Sequence, residues 1–405
     1  MVKNHISKFS LILLTISVLG LLSCKESSKD NLKPTTNNPI EYITDQAKLD
    51  MIYSLKDIDH KKQGRFYEIN YTADYKLEEA IKAQLTSLEG LTSFLATNLF
   101  DKVPEQTAKT DYSAGCSAFA APDPANGNYY MGRNFDFCHT DKDKKEVPIS
   151  AIVVHSTSAE GKKSISMVDS YWVGLKQGFF TDGKSDLSIL MALPYLLMDG
   201  INEDGFAIGV LHLGGNPTKQ NEPGKLSINT TIAMRMLLDK ATSVDHAIEL
   251  LKQYNMNMES PAGGNYHFFM ADAGGNYAII EYIFEGEDTD STPNKMMVFN
   301  QNDTMRYVTN FYVTPTLAAN NTIGGAAERG KWRYNTMKEN LKVNAYKLTK
   351  EQAMDLLKAV ATDANVTEPT SHTQWSSLYN LSQKTLDVAI LKEYGKEEVK
   401  HFSFN

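Results

Sequence analysis

The chain has 405 residues, enough for an export signal, a pro-region and one large domain, or for two domains. Its 42% hydrophobic and 22% charged content is that of a globular protein and excludes wholesale disorder. A net charge of −8 with no basic stripe and no nucleic-acid motif argues against a polyanionic partner, and three cysteines, Cys24, Cys116 and Cys138, are too few for a disulfide framework.

At the N-terminus, Lys3 and Lys8 precede an apolar run from Phe9 to Leu22. That run is too short to cross a bilayer comfortably but suits the apolar core of an export signal. It ends Leu21-Leu22-Ser23-Cys24, which resembles a bacterial lipoprotein signal. The resemblance implies removal of residues 1–23, lipidation of Cys24 and attachment to a bacterial membrane, facing the periplasm or the cell surface. A secretory signal with an incidental cysteine is the alternative, and either reading takes the protein out of the cytoplasm. Residues 24–40 are polar and read as a flexible tether. No later segment is apolar enough over sufficient length to span a membrane.

Residues 41–115 form a region that need not belong to the catalytic core. Arg65 to Tyr71 reads as a strand or extended arm. One helix is expected from about Tyr75 to Phe100, where Leu77, Ile81, Leu85, Leu88, Leu91, Leu95 and Leu99 build a single apolar face. Such a face must be buried, most simply against the domain that follows, so the region reads as a helical pro-segment or covering subunit.

Residues 116–405 form the main domain. Strands are expected at Ile149–His155 and Ser164–Val168, then an apolar run from Leu187 to Leu197 and a turn-rich crossing from Asp199 to Gly205. The strand Phe206–Leu213 is continuously apolar, which suggests burial on both faces. Helices follow at about Asn229–Lys240 and Val244–Gln253, the second with Ser243 as N-cap. Next come strands at Tyr266–Ala271, Tyr277–Ile283 and Met305–Tyr312, helices at Ala326–Leu341 and Lys350–Thr362, and strands at Gln374–Tyr379 and Thr385–Leu391. Strand pairs separated by blocks of helix suit α+β layers rather than alternating βαβ units.

The chemistry concentrates between Gly115 and Asp136. Two apolar runs, Gly115–Phe119 and Tyr129–Met131, flank a turn rich in proline, aspartate, asparagine and glycine, which is a hairpin pattern. Antiparallel pairing brings Cys116 beside Arg133 and Asp136. A thiol with its usual pKa of about 8.5 needs help to act as a nucleophile near neutrality. Cleavage of the Gly115–Cys116 bond would supply it, because the freed α-amine of Cys116 lies within reach of its own sulfur and can carry the proton to a leaving amine. Asp136 then orients the ammonium and Arg133 favours the thiolate.

A cysteine opening a strand, a hairpin and Gly132-Arg133-Asn134-Phe135-Asp136 resemble the choloylglycine hydrolase, or linear amide C–N hydrolase, family of N-terminal-nucleophile enzymes. The likeness continues through Asp199-Gly200-Ile201-Asn202-Glu203-Asp204-Gly205, Val308-Thr309-Asn310 and Thr373-Gln374-Trp375-Ser376-Ser377-Leu378-Tyr379-Asn380, in the family's order. The family includes bile salt hydrolases and penicillin V acylases, with N-acylethanolamine acid amidase and acid ceramidase as distant relatives.

The resemblance implies a four-layer αββα sandwich with Cys116 as nucleophile and base and Arg133 and Asp136 as its neighbours. Asn310 becomes an oxyanion donor, and the backbone N–H of His212 the second, at a position where bile salt hydrolases usually carry asparagine. Arg333 is the choice for the family's late arginine, with Arg329 second. A long segment before the cysteine, cut at Gly115–Cys116, resembles the lipid amidases and their arrangement of two subunits from one precursor, with association of the two fragments left open.

The implied activity is hydrolysis of N-acyl amides with an apolar acyl group: acyl ethanolamides, acyl amino acids or conjugated bile salts. Penicillin V acylase activity and a non-catalytic, lipid-anchored binding protein are the alternatives. No cofactor is implied, and homo-oligomerisation stays open. Cys138 reads as a bystander thiol, the histidines show no metal-ligand spacing, and Asp141–Glu146 reads as a solvated loop.

Overall fold

The computed structural model describes residues 36–102, 115–157, 159, 161–214, 217–257, 265–284, 294–300, 306–315 and 326–404. The expected signal segment and Cys24 lie outside these residues. Helix α1 spans Gln46–Tyr53 and is capped by the Asp45 carboxylate, which accepts from Lys48 N–H at 3.0 Å. Strands β1 (Lys56–Asp57) and β2 (Phe66–Tyr71) follow.

The single helix expected over 75–100 is two, α2 (Leu77–Lys82) and α3 (Leu88–Asn98). Gln84 takes a left-handed φ of 50°, and the Ser87 hydroxyl accepts from Gly90 N–H at 3.0 Å to start a new helix. The leucine spacing survives the break because both helices bury Leu77, Ile81, Leu91, Leu95 and Leu99 in one core.

The expected hairpin is β3 (Gly115–Pro122) and β4 (Tyr129–Asp136). Strands β5 (Ala151–Ser156) and β6 (Ser164–Asp169) lie close to their expected positions. The apolar run folds as a 3₁₀ helix, Leu187–Tyr195, and strand β7 (Leu197–Asn202) occupies much of the expected crossing, leaving the turn to residues 203–205. After β8 (Ala207–Gly214) come β9 (Ser227–Ile228), α4 (Thr230–Lys240), α5 (Val244–Leu251) and β10 (Asn255–Met256). Ser243 caps α5 as expected, accepting from His246 N–H.

Strands β11 (Asn265–Ala271), β12 (Tyr277–Phe284) and β13 (Asn294–Phe299) precede a short β14 (Tyr307–Val308). The strand expected to reach Tyr312 stops at Val308 because Glu281 draws the chain away, accepting from the N–H groups of Val313 and Thr314. Helices α6 (Ala326–Val343) and α7 (Lys350–Ala359) lead to β15 (Thr373–Asn380), β16 (Thr385–Ile390) and β17 (Lys400–Ser403).

Among the described residues these strands form a nine-stranded sheet ordered β1-β2-β5-β6-β7-β8-β11-β12-β13, a six-stranded sheet ordered β14-β3-β4-β15-β16-β17, and a small parallel pair of β9 and β10. The two large sheets face each other through Ala118, Met131, Phe135 and Trp375 on one side and Val153, Ile165, Leu211 and Phe269 on the other. Helices α1 to α5 and the 3₁₀ helix cover the outer face of the nine-stranded sheet. Helices α6 and α7 cover the other, packing Met337, Leu341, Leu356 and Leu357 on Phe119, Ala121 and Leu378. The result is an α+β sandwich of four layers, αββα.

Strand periodicity aims the chemistry. Cys116, Ala118 and Ala120 point into the layer between the sheets, whereas Phe119 and Ala121 point out to the helices. Residues 41–102 do more than cover this core: β2 enters the large sheet parallel to β5, pairing Phe66 with Ala151 through Tyr71 with Ser156.

Candidate active site

Cys116 sits one residue into β3, opposite Phe135 of β4, and is 1% exposed. Its sulfur lies 3.2 Å from Arg133 Nη2, which donates to it, and 3.7 Å from the Val210 carbonyl. Its backbone N–H donates to Asn310 Oδ1 at 2.7 Å. Burial pushes the thiol up to about 11 in the intact chain, against the pull of Arg133 and Arg333.

Arg133 is held from three sides. Nη1 donates to Asp199 Oδ2, and Nη2 donates to the Val210 carbonyl at 2.9 Å as well as to the sulfur. Its side chain crosses β8 at Gly209, where an added Cβ would lie 3.0 Å from Arg133 Cδ. Asp199 also accepts from Trp375 Nε1 at 3.0 Å, Ser377 Oγ at 2.9 Å and the Tyr379 hydroxyl. Arg133 and Asp199 are fully buried, so removing either would strand a charge, at a cost of about 3–5 kcal/mol. Sequence reasoning included Asp199, Trp375, Ser377 and Tyr379 in motifs but gave them no role. The alternation of 375, 377 and 379 on one face of β15 was the available signal.

A second buried pair completes the other side. Arg333, on α6, donates from Nη1 to Asp136 Oδ2 and from Nη2 to Asn310 Oδ1, each at 2.7 Å. Asp136 also accepts from the Thr373 hydroxyl at 2.6 Å. Burial pushes the Asp136 carboxyl up, and Arg333, Thr373 and Arg133 oppose it. With two donors on Oδ1, the Asn310 amide is oriented with Nδ2 toward the His212 carbonyl, at 2.8 Å. Strand β7 pairs with β8 only as far as Gly209. Beyond it, the carbonyls of Val210 and His212 are taken by Arg133 and Asn310 instead of a ladder. Thus Cys116, Arg133, Asp136, Asn310 and Arg333 converge. His212 meets them through its carbonyl, and the Arg329 side chain lies outside the described residues.

Two groups that sequence reasoning missed support the Asn310 loop. His267 Nε2 lies 2.7 Å from the Thr309 carbonyl and Nδ1 lies 3.2 Å from Glu281 Oε1. Glu281 accepts further from Val313 N–H at 2.7 Å, Thr314 N–H at 3.0 Å and Thr314 Oγ1 at 2.6 Å. No local spacing could have revealed this, because the partners lie on separate strands.

Gly115 is fixed by its surroundings. A Cβ there would lie 2.2 Å from the Thr370 carbonyl oxygen, so only glycine fits before Cys116 in this arrangement.

A family model described as acyl-coenzyme A:6-aminopenicillanic acid acyl-transferase matches residues 188–392, just over half of the 405-residue chain. A search of curated protein sequences finds no match. Among solved structures, a mutant conjugated bile acid hydrolase from Clostridium perfringens is 17% identical, with a TM-score of 0.48 over 72% of this chain and 92% of that one. A second variant of that hydrolase is also 17% identical, with a TM-score of 0.47 over 71% and 92%. The penicillin V acylase from Agrobacterium tumefaciens is 19% identical, with a TM-score of 0.45 over 68% and 83%.

Proposed function

This chain belongs to the acyl-coenzyme A:6-aminopenicillanic acid acyl-transferase family, and we propose that it hydrolyses linear amide bonds in N-acyl amides through Cys116. The carrying observation is the double hold on that residue: a guanidinium on its sulfur and a side-chain amide on its nitrogen.

In the intact chain the Cys116 sulfur attacks the Gly115 carbonyl carbon. The S–C bond forms, the C–N bond to Cys116 breaks, and the thiol proton passes to the departing nitrogen, leaving a thioester and a free α-amine. Water then cleaves the thioester to a Gly115 carboxylate and restores the thiol. In the mature enzyme the amine takes the thiol proton, sulfur attacks the substrate carbonyl and the proton passes to the leaving amine. A second attack by water releases the acid. Asn310 Nδ2 and the His212 backbone N–H are the oxyanion donors, each such donor worth roughly 3–4 kcal/mol of barrier. Asp136 and Arg333 hold Asn310 and the new ammonium in place.

The substrates on this reading carry an apolar acyl group: fatty acyl ethanolamides or acyl amino acids, then conjugated bile salts, then penicillin V. Cys24 carries a lipid that anchors the enzyme to a bacterial membrane, and residues 41–115 remain bound after the cut. Intact mass tests the processing, with two fragments divided before Cys116 expected. A Cys116→Ala chain should stay uncut and turn over none of these four substrate classes; full activity in that variant would sink the proposal.

A further inference from the structure

Outside the Cys116 site, three further side chains converge: Cys138, Glu146 and His372, whose ligand atoms all lie within 4.8 Å of one another. The sequence gives no hint of it, since His372 is far along the chain from the other two. Backbone pairing brings them together. Phe137 N–H donates to the His372 carbonyl at 3.0 Å, and Cys138 N–H donates to the Pro369 carbonyl at 2.9 Å. Glu146 is carried back by a turn closed by the Thr140–Glu146 bridge and by Asp141 N–H donating to the Lys145 carbonyl. His372 itself holds a left-handed φ of 63°.

We propose that Cys138, Glu146 and His372 form a site for a zinc-class transition-metal dication, with water as the fourth ligand. Thiolate, imidazole and carboxylate are a zinc donor set, and the sulfur disfavours magnesium and calcium. His372 Nδ1 approaches Glu146 Oε1 at 2.6 Å without an aligned hydrogen bond. Cys138 is a free, buried thiol beside them. Zinc bond lengths of about 2.0–2.3 Å put ligand atoms roughly 3.3–3.8 Å apart, so the His372–Glu146 pair at 2.6 Å must open and any wider pair, at most 4.8 Å, must close, a modest rearrangement. Glu146, on an exposed turn, and His372, half-buried, are able to supply it.

The site would join the turn after β4 to the segment entering β15. That segment supplies the Thr370 carbonyl against Gly115 and the Thr373 hydroxyl on Asp136. The metal thus ties together two walls of the Cys116 site without touching it. The site itself stands whether or not Cys116 is the nucleophile.

The test is metal uptake by the chelator-stripped full-length chain, dialysed against Zn²⁺ and analysed for metal. Co²⁺ is used in parallel, for its thiolate charge-transfer absorption. About one ion per chain is expected, with affinity at least ~10-fold weaker in Cys138→Ser and His372→Asn. Asparagine tolerates the left-handed backbone at 372, so this variant reads the ligand and not the fold. The cobalt absorption should vanish in both variants and persist in Cys116→Ser. Absence of stoichiometric uptake would overturn the site, as would uptake indifferent to both substitutions or preference for Ca²⁺ or Mg²⁺. Should Cys138→Ser fail to fold, metal uptake by His372→Asn alone decides between these outcomes.

Discussion

Replacing Glu281 by glutamine tests how the loop bearing Asn310 is held. The carboxylate is fully buried and accepts from Val313 N–H, the Thr314 N–H and hydroxyl, and His267 Nδ1. Glutamine keeps the shape but loses the charge, and it turns one acceptor oxygen into an NH₂ group among donors. Breaking a buried charged pair from one side costs about 3–5 kcal/mol, and the lost hydrogen bonds fall within that figure rather than adding to it. Guanidinium denaturation should therefore show a loss of ~3–5 kcal/mol. With its orienting partner gone, His267 loosens its hold on the Thr309 carbonyl, one residue from Asn310.

If Asn310 stabilises the oxyanion, kcat should fall by up to ~10²–10³-fold with KM little changed. Burial works to raise the Glu281 carboxyl, but the hydrogen bond and charge of His267, with Thr314 and Val313, outweigh it and hold the carboxyl low. A depressed folded-state value contributes stability above the ordinary glutamate pKa of about 4.3, and this is lost as pH falls through the folded value. The variant should lack that acid-side loss. Stability within about 1 kcal/mol of wild type, or an unchanged kcat in a folded but destabilised variant, would refute the reasoning.

Two other outcomes concern processing. Gly115→Ala puts a Cβ 2.2 Å from the Thr370 carbonyl, so conversion of precursor to fragments, followed by gel over time, should slow by at least ~10-fold. Normal conversion would mean that Thr370 yields freely. Because the Cys116 thiol is pushed up to about 11 in the intact chain, its thiolate fraction rises with pH throughout the working range. The cleavage rate should climb about 100-fold between about pH 7 and about pH 9. A flat profile would show that another group takes the thiol proton before attack.

The hairpin around Cys116 was legible because both of its signals are local: alternation along each strand and turn residues between them. The leucine spacing after Tyr75 identified a buried face correctly but not the break at Gln84, since periodicity reports a face and is blind to one left-handed residue. Strands β1, β13 and β17 escaped notice because each is short or only partly buried. The Asp199 web and the Glu281–His267 pair were beyond reach for a different reason. Their meaning lies in partners brought together by two stacked sheets, and sequence spacing carries no trace of which face meets which. The choice of Arg333 came from the resemblance, and its geometry follows from α6 lying over β14 and β3.

Strand β2 lies inside the large sheet, between β1 and β5, yet it precedes Cys116 in the chain. In the proposed mature form it belongs to a separate polypeptide, and the sheet is completed by a strand that is no longer covalently continuous with its neighbour. Folding must come before the cut, while the two halves still share one chain and meet at high effective concentration. Afterwards, unfolding releases two molecules and refolding becomes a second-order encounter. The mature enzyme would then be a one-way product of its own assembly. Its persistence would be governed by how slowly it opens, and recovery after denaturation would depend on protein concentration.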